Sequence, residues 1–419
     1  MENKLQSETA YLFSPNINVC FSVNIKHGFT VESIQMAIDI VVKRHPILLT
    51  TIRANNNGEW FYDSGGKVDV QFLNEKTTLT DWYAKNDCIP FQWDKGLIKI
   101  GVFVESDSTD IMILGHHILG DGLGYLNLIR DILSALDGKS FDKASVLPKE
   151  NFVKDSGKAG LLMKLFAKSL NKKWGKTGKR FTYNEYTELF HGYRKELPPG
   201  LYLNNIESVD TIRATCQKAR LTVNEIFAAA FVFALNRLGQ KEVRLGCAAS
   251  TRSEMYHDVS DAMGNFTTGI ATVVASPEEV PARLREKLKK PKYRYQVIHL
   301  LSLLDPSLIS SAPFAAYGDY DNIAAKKLAT TLGEQRTNKS FGISNLGVQT
   351  PGDYSFGVSV QFICPAFPQN FLTVGLITID NTAKFALRYS TSDLSENQAI
   401  TLFDDAKEYL AKFIKDGKI

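Results

Sequence analysis

A strand pattern running from Asp110 to His117 ends in His116-His117-Ile118-Leu119-Gly120-Asp121-Gly122, and a helical pattern begins at once. The helix is expected over about Leu123–Leu136, with Leu126, Ile129, Ile132 and Leu133 on one face. Two glycines in the junction let the backbone turn tightly and leave room beside it. Successive side chains of a strand point to opposite faces, so only one of the two histidines can face a given cavity. The other must anchor in the protein. A histidine at a strand end, with an ordinary pKa of ~6.5, is suited to take a proton from a hydroxyl or an amine. Two core histidines capped by a turn aspartate are the alternative, and for one isolated histidine the better one. The whole seven-residue pattern between strand and helix favours the chemical reading. Asp121 sits too close in sequence to be assumed a partner of the imidazole, and a salt bridge that fixes the turn explains it at least as well. No third ligand has the spacing of a metal site, so no metal is expected.

The rest of the chain mixes helices and strands in both halves. The first half reads as a strand at 19–26, a helix at 31–44 stopped by Pro46, a strand at Ile47–Arg53, a turn at Asn55–Gly58 into Glu59–Asp63, and a strand at Ile98–Glu105. Between Lys154 and Arg180 stand nine basic residues and one acid, Asp155, with Leu162, Phe166, Leu170 and Trp174 expected along one helical face. Pro198-Pro199-Gly200 then breaks the chain. This places a first lobe at residues 1–190 and a second at 191–419. The second half reads as helices near 208–219 and 222–238, strands at 243–249 and 264–275, and a basic stretch at 283–294. An insertion is expected at about 305–335. Strands follow at 340–344, 355–363, 371–379 and 383–390, then a closing helix near 395–414 with Ser395 as its N-cap.

A length of 419 residues suits two lobes, and 44% hydrophobic with 22% charged residues is ordinary for a globular protein. A net charge of +4 over that length gives no reason to expect a nucleic-acid partner. The apolar runs fall short of the ~18–20 residues that span a bilayer, and the N-terminus lacks a secretory pattern, so a cytoplasmic location is expected. The five cysteines, Cys20, Cys88, Cys216, Cys247 and Cys364, form no CxxC and are expected to be small core residues. Gly138-Lys139-Ser140 lacks the upstream glycine of a phosphate loop, since Leu133 stands there. GxSxG, GxGxxG and HExxH are missing.

His116-His117-Ile118-Leu119-Gly120-Asp121-Gly122 resembles the HHxxxDG signature of the chloramphenicol acetyltransferase-like superfamily. That group includes peptide-synthetase condensation domains, alcohol acetyltransferases and plant BAHD acyltransferases. Arg44-His45-Pro46-Ile47-Leu48-Leu49-Thr50 resembles the RHxxLRT motif of condensation domains, except that Leu49 stands at the second arginine. Arg252 sits where relatives carry a second-lobe arginine. Met263-Gly264-Asn265-Phe266 and Ile343-Ser344-Asn345-Leu346-Gly347 resemble the VGNF-like and SNLG-like stretches. The likeness is nearest to free-standing condensation-domain and alcohol acetyltransferase-like proteins. The DFGWG motif of the plant enzymes is not seen.

The resemblance implies an α/β fold of two lobes, each a mixed sheet with helices, and a tunnel between them. It implies an acyltransferase in which His117 is the general base, taking the proton of an alcohol or amine acceptor as that atom attacks a thioester, with no acyl-enzyme. His116, Asp121, Gly122 and Arg252 would be structural at the active site. Arg252 would pair with Asp121 in place of the arginine that Leu49 removes, and Gly122 would keep the tunnel open. Ser344 and Asn345 are candidate polar groups for the oxyanion, with a strand-end turn as the equal alternative. No tightly bound cofactor is implied. Acyl-CoA or an acyl-pantetheine is the co-substrate, and an acyl or peptidyl carrier protein is a candidate partner. Arg283–Arg294 could meet coenzyme A phosphates, although a solvated helix explains it better, and peripheral membrane contact through 154–180 is the less favoured use of that stretch. A non-catalytic carrier-protein docking module on the same fold is the second function.

Overall fold

Two eight-residue strands of alternating or continuous apolar pattern build the centre of the first sheet. The strands Asn18–Ile25 and Thr109–His116 pair antiparallel, with Asn18 opposite His116 and Val19 opposite Gly115. The computed structural model describes residues 3–141, 159–177, 179–337, 339–350 and 352–418. In the five-stranded sheet the order is Val358–Ile363, Asn18–Ile25, Thr109–His116, Ile98–Val104, Val68–Phe72. Only its last pair is parallel. A six-stranded sheet follows the order Thr267–Val274, Val243–Ser250, Ser340–Val348, Asn370–Ile379, Thr382–Ser390, Pro199–Ile206. Its Ser340–Val348 strand runs parallel to both neighbours. A small sheet of Asn3–Lys4, Trp60–Ser64 and Thr50–Ala54 completes the strands among the described residues.

Helix Val31–Arg44 buries Ile34, Ala37, Ile38 and Val41, the face its apolar spacing predicts, and Thr30 caps it by accepting from Ser33 N–H. Helix Val223–Arg237 is apolar nearly all round and accordingly lies inside the second core. No single helix among the described residues is long and apolar enough to cross a membrane.

Several expectations are corrected. Residues Pro46–Leu49 form a short 3-10 turn, because Pro46 opens it, and the strand begins only at Thr50. The expected insertion holds helices Pro306–Tyr317 and Ile323–Leu332, whose Leu308, Ile309, Ala312 and Leu328 are buried in the first core. Pro199–Ile206 is an edge strand, where a proline at the first position removes no ladder bond. Leu170 and Trp174 are buried in helix Leu161–Trp174, but Leu162 is 83% exposed. The part of that basic stretch before residue 159 lies outside the described residues. Cys88 is exposed; the other four cysteines are buried, and all five are free.

The strand Val358–Ile363 belongs to the second half of the chain yet pairs with Asn18–Ile25 of the first. Gly375 of strand Asn370–Ile379 packs closely against the end of the Val358–Ile363 strand: a Cβ there would stand 2.8 Å from the Cys364 nitrogen. A cut at residue 190 therefore follows chain order and does not separate the two sheets.

Candidate active site

The strand Thr109–His116 delivers both histidines to its end. His116 N–H donates to Leu97 O at 2.9 Å, the last ladder bond, and residues His117–Leu119 turn the chain out of the sheet. Helix Gly122–Leu136 starts immediately, with Asp121 as its N-cap. Tyr125 reaches back from the first turn and donates to His116 O at 2.9 Å. Its hydroxyl occupies the space above Gly115, where a Cβ would come within 1.9 Å.

The two histidines take opposite roles, as strand alternation requires. His116 is 1% exposed, and its Nδ1 accepts from Ile118 N–H at 3.2 Å. An accepting Nδ1 puts the ring proton on Nε2. Burial, then the neighbouring His117, brings its pKa down to about 3. It is a neutral anchor. His117 is half-buried. Its Nδ1 is sealed in without a partner, which leaves Nε2 on the accessible side. Burial lowers its pKa below the ordinary value, opposed by its own backbone carbonyl, the charge of Asp121 and the Asn265 side chain. The ring lies flat on Tyr11, with centroids 4.7 Å apart and planes 1° from parallel.

Asp121 fills every acceptor site it has. Oδ1 accepts from Gly124 N–H and from Arg252 Nη2, each at 2.8 Å; Oδ2 accepts from Phe266 N–H and the Thr267 hydroxyl, each at 2.9 Å. Arg252 Nη1 donates to Val259 O at 2.5 Å and Ala262 O at 2.9 Å, and the guanidinium lies over the Phe266 ring. The structure thus brings Arg252 to Asp121, as the resemblance implied, and Asp121 ties the turn to the second half of the chain without touching the imidazole. The 263–266 loop adds two clamps. Gly264 O accepts from Asp121 N–H at 3.0 Å, and Asn265 Nδ2 donates to His117 O at 2.8 Å.

One site expectation changes. Gly122 does not hold a space open: a Cβ there would meet Leu346 Cδ2 at 2.9 Å and the Phe362 ring at 3.1 Å, so the glycine serves close packing. Leu346 of strand Ser340–Val348 thus packs against the turn. Ser344 and Asn345 make no hydrogen bond to either histidine, and Asn345 Oδ1 accepts from Gly347 N–H at 2.7 Å, closing a local turn. The Arg44-His45 pair lies elsewhere, on Asp131 of the motif helix, at 2.7 Å and 2.6 Å. In the basic stretch 283–294, Arg285 pairs with Glu225 at 2.6 Å and Arg294 with Glu254. An open pocket of about 500 Å³ between Ile89–Gln92 and the Tyr183–His191 face contains no residue of the motif.

Tyr11, Asn265 and Thr267 were missed as site residues. The Met263–Phe266 match pointed at the right loop, and the polar side chain within it was the available signal for Asn265. Nothing local marks Tyr11.

No family model and no curated protein matches the chain. Solved structures do, along nearly the whole of it. The trichothecene 15-O-acetyltransferase of Fusarium sporotrichioides superposes with a TM-score of 0.65 at 12% identity, covering 98% of this chain and 95% of that one. The first condensation domain of the calcium-dependent antibiotic synthetase, in complex with a substrate analogue, gives 0.64 at 12% identity over 100% and 98%. The epimerization domain from the third module of tyrocidine synthetase B gives 0.62 at 14% identity over 100% and 97%. The chain therefore has the chloramphenicol acetyltransferase-like fold shared by condensation domains and this acetyltransferase.

Proposed function

We propose that the protein is an acyltransferase that moves an acyl group from a coenzyme A or pantetheine thioester to an alcohol or amine, with His117 as general base. One observation carries this reading: a histidine at the end of a strand, its Nδ1 sealed and its Nε2 open, on a turn locked from both halves of the chain. A fold alone hosts several reactions, so the site must carry the chemistry.

In this reading Nε2 takes the proton from the acceptor as its oxygen or nitrogen bonds to the thioester carbonyl carbon. The tetrahedral oxyanion collapses, the C–S bond breaks, and the imidazolium returns the proton to the leaving thiolate. No acyl-enzyme forms. A lowered pKa keeps the imidazole neutral, and so able to accept, at pH 7. Donor and acceptor would enter a tunnel from opposite faces, and Ser344 remains the candidate for the oxyanion. The two lobes, 1–190 and 191–419 in chain order with the Val358–Ile363 strand lent to the first sheet, would each supply one wall.

The test is thiol release from acyl-coenzyme A donors of increasing chain length, with a mixed panel of alcohols and amines. Acceptor-dependent release identifies a coenzyme A donor. Turnover only with carrier-loaded acyl groups identifies a carrier-protein donor. Binding of a carrier protein without turnover from either donor would replace the reading with a docking module.

A further inference from the structure

A general base needs its ring held in one plane, and the usual means is a hydrogen bond to the far ring nitrogen. Around His117 its own carbonyl and the Asn265 side chain lie near the ring, but Nδ1 makes no well-aligned hydrogen bond to either, and the χ2 torsion of a histidine is broad on its own. What lies against the ring is Tyr11.

Tyr11 is itself held firmly. Its helix, Thr9–Leu12, is short, but Thr9 donates to Gln6 O at 2.6 Å and Gln6 to Leu304 O at 2.9 Å. Leu12 and Phe13 are fully buried, and Phe13 sits edge-on to Trp93 at 5.3 Å and Trp60 at 5.8 Å. The Tyr11 hydroxyl makes no hydrogen bond among the described residues, so the ring is the part of the side chain in use. Parallel rings at this separation attract.

We propose that Tyr11 is the positioning residue of the candidate base: its ring fixes the plane of the His117 imidazole and shuts one face to water, so that Nε2 meets the acceptor in a single orientation. This rests on His117 being the base. The charged and titratable groups around the pair are Asp121, paired with Arg252; His116, neutral; Glu8, on the Tyr11 side; and the Tyr62 phenol, bonded to Ile118 O. Removing the Tyr11 ring admits water, and His117 then titrates closer to the ordinary ~6.5.

The experiment compares wild type with Tyr11→Phe, Tyr11→Leu and Tyr11→Ala, by the pH dependence of kcat and by an NMR titration of His117. Tyr11→Phe keeps the ring and is expected to stay within about threefold of wild type in kcat, with an unmoved titration. Tyr11→Leu fills the space without a plane and guards against a variant that fails to fold. It and Tyr11→Ala are expected to lose about 10- to 100-fold in kcat with KM little changed, and to shift the His117 titration upward. A Tyr11→Leu protein with unchanged kcat and titration overturns the proposal, as does a Tyr11→Phe loss equal to that of Tyr11→Leu, which would assign the role to the hydroxyl. If the wild type turns over no thioester, the acyltransfer reading fails, and the titration still decides whether Tyr11 governs His117.

Discussion

Asp121 accepts four hydrogen bonds, and at the residue scale that count separates building from chemistry. Its four donors come from its own helix and from the 252–267 region, none from an imidazole. Replacing it by alanine strands the Arg252 guanidinium and two backbone N–H groups in a buried place. Breaking such a pair costs about 3–5 kcal/mol, so Asp121→Ala is expected to lower the urea midpoint strongly, whatever it does to turnover. Gly115→Ala is a second residue-scale case. Its Cβ would displace the Tyr125 hydroxyl from the His116 carbonyl, and overpacking of this kind costs about 1–3 kcal/mol, read as a fall in Tm. His117, His116, Asp121 and Arg252 were legible because a strand end, two glycines and a motif marked them. Tyr11 was not, since a stacking partner over a hundred positions away leaves no local pattern.

Local rules read the elements well where one periodicity ran unbroken. The closing helix Glu396–Asp416 begins where Ser395 predicts, and Ser395 and Gln398 form a reciprocal capping box. Ser395→Ala is expected to cost ~1 kcal/mol, checked by thermal unfolding. Thr182 with Glu185 and Thr222 with Glu225 make the same box and passed unread, although S/T-x-x-E was present in both. Elements failed to show where signals conflicted. Pro198-Pro199-Gly200 reads as a break, yet an edge position tolerates the proline and a strand begins there. Helix Pro306–Tyr317 carries Pro313 in its interior, which argues against a helix in sequence, while burial of Leu308, Ile309 and Phe314 overrides that cost.

At the scale of the whole molecule, one buried cluster ties the two sheets together. Asp87 accepts from Arg388 at 2.9 Å and from Asn18 at 2.8 Å and forms an ion pair with Arg194 at 2.8 Å, and Arg388 also bonds the Asn16 carbonyl at 3.0 Å. Arg388 comes from the six-stranded sheet and Asn18 from the five-stranded one, directly opposite His116. Burial works to raise the Asp87 pKa, but the two guanidiniums and Asn18 overcome it and hold it below the ordinary carboxylate value. A depressed carboxylate contributes stability that is present above its unfolded pKa of ~3.9 and is lost as pH falls through the folded value. Unfolding free energy is therefore expected to drop below about pH 4 in wild type, and Asp87→Asn to flatten that limb. No sequence pattern joins positions 87, 194 and 388, so this contact between sheets was invisible until the fold was known. The lobe boundary near 190 was read from a charge shift and a proline pair, and the crossing of Val358–Ile363 into the first sheet obeys neither.

The central claim is that the nitrogen held open at the end of the Thr109–His116 strand does the proton transfer. Acceptor-dependent thiol release, measured side by side for wild type and a His117→Ala protein whose melting curve matches it, tests this most directly. The account predicts a loss of about 10²–10⁴-fold in the variant. A folded His117→Ala protein that releases thiol as fast as wild type would contradict it.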